Sequence, residues 1–155
     1  MNHPSSHLLT LVVDNEFGVL TRIASTIRRE GWNIKSLSVA ETADHTLSRL
    51  TLSLECFDAT VGSVLQRLGR LDCVHEICAC TEATHLLREL ALLRLPKEEL
   101  SRAKELGGLP AGPGVDEFSG TPAQLDAVIC ALSPLEVTRT GVVAVNRSEL
   151  LEERS

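Results

Sequence analysis

Two rhythms organise the apolar residues of this chain, one of period two and one near 3.6, and their order along the sequence predicts its elements. Leu8–Val13 is a short apolar run holding two valines, which suits a buried strand. Asp14-Asn15-Glu16-Phe17-Gly18 supplies turn chemistry. From Val19 onward Leu20, Ile23, Ala24 and Ile27 recur at helical spacing, with Arg22, Arg28, Arg29 and Glu30 on the opposite face. Arg28 and Arg29 favour the negative end of that helix, and Gly31 fits the position just past its cap. Two strands follow at Asn33–Ala40 and Thr46–Glu55, joined through a hairpin at Glu41–His45. In the second, Leu50, Leu52 and Leu54 share one face and Arg49, Thr51 and Ser53 the other, which predicts a sheet covered on one side only. Val61, Val64, Leu65 and Leu68 mark a second helix within Ala59–Leu71, and Cys73–Cys80 reads as a fourth strand. The order β-α-β-β-α-β over residues 8–80 is the ferredoxin-like arrangement of an α+β domain.

Beyond residue 81 the pattern predicts a strand at Glu89–Leu95 and a helix at Lys97–Leu106. Gly107–Gly114, with four glycines and two prolines, reads as a flexible turn. Thr121 is placed as the N-cap of a further helix with Pro122 at its first position, and Leu125, Val128, Ile129 and Leu132 form its buried stripe. A strand closes the chain within Leu135–Val145. The expected organisation is therefore one domain over residues 1–80 and, over 81–155, a second, smaller α/β unit or an appendage that needs a partner to complete its core.

Composition excludes several functions. The net charge of −6 leaves no basic footprint for nucleic acid, and three Phe, one Trp and no Tyr leave few stacking platforms. No apolar run approaches the length that spans a bilayer, and the N-terminal M-N-H-P-S-S-H does not read as a secretory leader. Five cysteines without framework spacing read as cytoplasmic thiols. His75, Cys78, Cys80 and His85 have metal-ligand chemistry. Strand alternation, however, sends Cys78 and Cys80 to one face and His75 to the other, so no metal is expected there. Cys73 has neither a helix start nor an obvious base to activate it. The acidic stretch Glu149–Glu153 reads as a solvated tail, and Arg22, Arg28 and Arg29 as the wet face of a helix that could also meet an acidic partner.

The chemistry of residues 14–39 is that of recognition. Gly18 precedes a helix whose first N–H groups have no intrahelical partner and so attract a carboxylate. Asn15 and Asn33 are amides able to donate to a carboxylate and accept from an ammonium. The same residues equally suit a plain strand-to-helix turn and a post-cap position.

Four ordered segments carry a family resemblance: N-E-F-G-V-L-T-R-I at 15–23, G-W-N-I-K-S-L-S-V at 31–39, T-L-S-R-L-T at 46–51 and R-T-G-V-V-A-V-N-R at 139–147. Together they resemble the small regulatory subunits of acetolactate synthase (acetohydroxyacid synthase), whose N-terminal half is an ACT domain. The resemblance implies a chain with no catalytic site and no bound cofactor of its own. It would pair as a homodimer through its ACT domains and associate with a catalytic large subunit carrying thiamine diphosphate, Mg and FAD. It would raise that subunit's activity and confer feedback inhibition by a branched-chain amino acid, usually valine, bound at the ACT interface. Asn15, Gly18 and Asn33 match the family's effector positions, with Val19, Leu20 and Ile34 as neighbouring contacts. Phe17 stands where the family usually carries a small residue or proline, the segment from Leu95 to Thr121 is shorter and lacks one strand, and Ser133-Pro134-Leu135 compresses the approach to the last strand. A stand-alone ACT-domain sensor of amino acids, acting on a different enzyme, is the alternative. A small enzyme on this fold lacks any matched nucleophile and base.

Overall fold

The computed structural model describes residues 3–147, so the acidic stretch Glu149–Glu153 lies outside the described residues. Two compact units divide the chain, one reaching to His85 and also including Asn146 and Arg147, the other spanning Leu86–Val145.

The first unit runs β1 (Ser5–Asp14), α1 (Val19–Arg29), β2 (Asn33–Glu41), β3 (Leu47–Cys56), α2 (Val61–Gly69) and β4 (Val74–Cys80). Its sheet has the order β2-β3-β1-β4 with antiparallel pairing throughout, as the predicted βαββαβ order requires. Leu9, Leu11 and Val13 of β1 and Leu50, Leu52 and Leu54 of β3 meet Val19, Ile23 and Ile27 of α1 and Val64 and Leu68 of α2 in one apolar core. Burying each such side chain is worth about 1.5–3 kcal/mol, which is why the period-two and period-3.6 stripes must face each other. The end of α1 is closed by a pair of hydrogen bonds, Gly31 N–H to Arg28 O at 3.1 Å and Trp32 N–H to Ile27 O at 3.2 Å, and Trp32 packs onto the core beyond them.

The other face of this sheet is not left to water, contrary to the one-sided alternation. Thr10, Val12, Thr51 and Cys80 are all buried on it. Polar residue types hide this burial from a hydropathy pattern, because a hydroxyl inside a sheet finds its own acceptor. Thr10 Oγ1 donates to Leu50 O at 3.2 Å.

The second unit runs β5 (His85–Arg94), α3 (Leu100–Glu105), β6 (Leu109–Gly112), β7 (Val115–Gly120), α4 (Pro122–Leu132), β8 (Glu136–Arg139) and β9 (Val143–Asn146). Its strand order β6-β7-β5-β8 repeats that of the first unit element for element, with β9 added on β5. The strand expected to be missing is present. Gly107–Gly114 contributes β6, four residues long, with Pro110 on an edge strand, where a sheet tolerates proline. Its strands β6, β7 and β8 are shorter than the corresponding β2, β3 and β4, while the plan is the same. Thr121 caps α4 as expected, its Oγ1 accepting from Gln124 N–H at 3.3 Å while Gln124 Oε1 accepts from Thr121 N–H at 2.8 Å.

Gly108 is where this unit tolerates least change. A Cβ there would lie 2.6 Å from the Phe118 ring and 2.9 Å from Ala103 O. Gly108→Ala is expected to cost about 1–3 kcal/mol by overpacking, read as a lowered urea midpoint. An unchanged midpoint would show that α3 shifts freely.

Candidate functional site

The turn ahead of α1 is shaped by its backbone. Gly18 adopts φ 84° at the N-cap, a left-handed conformation that costs a residue with a Cβ roughly 1–2 kcal/mol. No side chain caps the helix, so the donor end of α1 is open to an external anion. Asn15 flanks it, its N–H donating to Thr46 O at 2.7 Å and its Nδ2 donating to Glu41 Oε2 at 2.9 Å and to His45 O at 3.0 Å. His45 in turn contacts Glu41. In the sequence Glu41 and His45 read only as hairpin residues. Their role follows from β1 and β2 ending on the same side of the sheet.

The remaining predicted residues are divided. Val19 is buried in the core and Leu20 is exposed beside the turn. Asn33 and Ile34 open β2, one exposed and one half-buried. Because β2 carries Asn33 at its first residue and Glu41 at its ninth, Asn33 and the Asn15–Glu41 pair are separated by about 26 Å at roughly 3.3 Å per residue. One chain therefore does not bring Asn15 and Asn33 together. The intervening strand is an edge of the sheet, with Leu37 40% and Val39 41% exposed. Phe17 is 109% exposed and, with Asn15 and Glu16, lines the open recess at this turn.

The cysteines and histidines sort differently from their spacing. His75 lies apart, as alternation requires, its Nε2 2.6 Å from Asp14 Oδ1. A register irregularity between Val12 and Val13 in the β1–β4 pairing does not bring it round. His85 does reach the cysteines. The turn after β4 folds back through His85 N–H to Thr81 O at 2.8 Å and sets His85 Nε2 3.6 Å from Cys78 Sγ. Burial and the neighbouring Cys78 push the Cys80 thiol up to about 12, which holds it protonated and unsuited to nucleophilic attack. Cys73 is part of the apolar core. On α1, Arg22 faces Asp72 of its own chain at 3.8 Å.

Residues 9–76 match the family described as the AHAS small subunit-like ACT domain. The acetolactate synthase small subunit of Aquifex aeolicus is 34% identical over 164 positions, covering 95% of this chain and 84% of that protein. That of Mycolicibacterium smegmatis is 31% identical, covering 94% of each. Among solved structures, the acetolactate synthase small subunit from Thermotoga maritima superposes with a TM-score of 0.78 at 27% identity, over 92% of this chain and 98% of that one.

Proposed function

The chain belongs to the family of acetolactate synthase small subunits, regulatory partners of a separate catalytic subunit, and we propose that it imposes valine feedback on that enzyme through a site completed by a second copy of itself. Its association with the catalytic large subunit would raise that subunit's activity in branched-chain amino acid biosynthesis. Thiamine diphosphate, Mg and FAD would reside on that partner, with none held by this chain's effector site.

The observation that carries the reading is the division of the effector residues between the two ends of an exposed edge strand. Antiparallel pairing of β2 with β2 of a second copy, about a two-fold axis at Leu37, sets each Asn33 opposite the partner's Glu41 and beside the partner's Asn15. It also covers Leu37 and Val39 and satisfies the free edge. Each of the two equivalent crevices then holds the open end of α1 for a carboxylate, worth roughly 0.3–1 kcal/mol when exposed and up to about 2 when partly buried. Glu41 and the partner's Asn33 face the ammonium. Leu20 and the partner's Ile34 hold the side chain. Valine and leucine differ by one methylene, about 0.8 kcal/mol, so the shape of the crevice selects between them. Effector that binds one arrangement of the paired domains better than another shifts the catalytic partner by that difference, typically about 1–3 kcal/mol, and the partner alters valine affinity reciprocally.

Subunit mixing tests the shared site. Homodimers of Asn15→Ala and of Asn33→Ala are each expected to need at least roughly tenfold more valine for inhibition. A mixed dimer joins the intact Asn33 of one copy to the intact Asn15 of the other, so mixing the two variants restores part of the inhibition. Mixtures as insensitive as either parent would place the whole site within one chain.

A further inference from the structure

The face of the first sheet turned away from its helices carries a cluster that regulation by an amino acid does not use. Cys78 and Cys80 lie two residues apart on β4, and His85 returns to them from the turn, so that two sulfurs and an imidazole nitrogen all lie within 4.8 Å of one another. Cys80 and His85 are buried and Cys78 is half-buried. Cys78 and His85 border a recess of about 220 Å³ lined also by Thr10, Arg49 and Glu76.

We propose that Cys78, Cys80 and His85 form a zinc(II) site, with the fourth tetrahedral position opening toward the recess that bears Glu76. Thiolate and imidazole are the ligand types zinc selects. Zinc–sulfur and zinc–nitrogen bonds of about 2.3 and 2.0–2.1 Å at a tetrahedral angle place sulfur and nitrogen about 3.6 Å apart. Cys78 Sγ and His85 Nε2 already stand at 3.6 Å. The same geometry puts two sulfurs about 3.8 Å apart, so the cluster needs a contraction of about 1 Å at most, within the reach of side-chain rotation. The imidazole is already oriented to ligate through Nε2. Its Nδ1 lies 2.8 Å from Thr84 Oγ1, and Thr84 Oγ1 is itself held to Thr81 O at 3.3 Å. A proton on Nδ1 donated to Thr84 leaves the Nε2 lone pair facing the sulfurs, the support that metal-binding histidines ordinarily receive. Charge closes as well. On binding the ion, the Cys78 and Cys80 thiols release their protons to solvent and the two resulting thiolates neutralise it, while Arg49 and Glu76, of opposite charge, both line the recess.

Cobalt(II) as a spectroscopic probe, displaced by zinc(II), tests this on the full chain under reducing conditions. The wild-type chain is expected to bind one equivalent with thiolate-to-cobalt charge-transfer absorption and the visible bands of a tetrahedral site. Cys78→Ser and Cys80→Ser lose that absorption, Thr84→Val weakens zinc binding by roughly 10- to 100-fold, and Cys130→Ser, at an exposed position outside the cluster, leaves it unchanged. Absence of thiolate absorption in the wild type overturns the site, as does its survival in folded Cys78→Ser. Either result reduces the contact to a thiol hydrogen-bonded to His85. Should the cysteine variants fail to fold, the wild-type spectrum and Thr84→Val decide.

Discussion

Arg139→Leu is expected to destabilise the second unit by about 3–5 kcal/mol, toward the lower figure because part of the guanidinium still meets water. Glu89 on β5 is only 6% exposed. Arg139 on β8 grips it with two bonds, Nε to Oε1 at 2.9 Å and Nη2 to Oε2 at 2.6 Å, and extends Nη1 to Asp126 Oδ1 on α4 at 2.6 Å. These bonds, those to Glu89 foremost, raise the guanidinium's hold on its proton, so the charge persists at every accessible pH. Leucine in its place leaves a carboxylate buried without a partner, which costs far more than the intact pair contributes. Hydrogen exchange of the β5 and β8 amides during urea titration reads the loss in the correct unit. The double variant Glu89→Leu/Arg139→Leu should recover most of it, since neither charge is then stranded. A single variant within about 1 kcal/mol of wild type would mean that Glu89 is solvated without Arg139.

Asn15→Ala is expected to weaken valine inhibition by roughly 10- to 150-fold, the equivalent of about 1.5–3 kcal/mol for a hydrogen bond to a charged group. It should leave activation of the catalytic subunit largely intact. Asn15 Nδ2 ties the turn before α1 to Glu41 and to His45 O, so alanine would both remove an amide from the proposed crevice and loosen the carboxylate proposed to face the effector's ammonium. Asn15 is not among the residues of the first unit's apolar core. Valine titration of the holoenzyme, with activation at zero valine measured in parallel, separates the two effects. Equal loss of both would mean that effector and catalytic partner share one surface.

The cap of α4, the closure of α1 at Gly31 and the leucine stripe of β3 are legible in the sequence because each depends on residues within a few positions of one another. The strand β6 is not, since glycine and proline announce a turn and only the pairing of Leu109 with Glu117 and Pro110 with Asp116 makes those residues a strand. The burial of Thr10 and Thr51 is equally hidden, because a hydrogen-bonded hydroxyl reads as a surface residue in any hydropathy pattern.

For the candidate sites the division is sharper. Residue types named Asn15, Gly18 and Asn33 as groups fit for a zwitterion, and the backbone turn at Gly18 follows from its lack of a side chain. Linear order could say nothing of the distance between Asn15 and Asn33. The length and direction of β2 decided that, by carrying one to the far end of the sheet from the other. In the same way alternation correctly parted His75 from the cysteines, while the chain reversal after Cys80 joined His85 to them. What a residue can do is written in its own atoms and those of its near neighbours. What it meets depends on strand pairing across tens of residues, and only the folded chain supplies that.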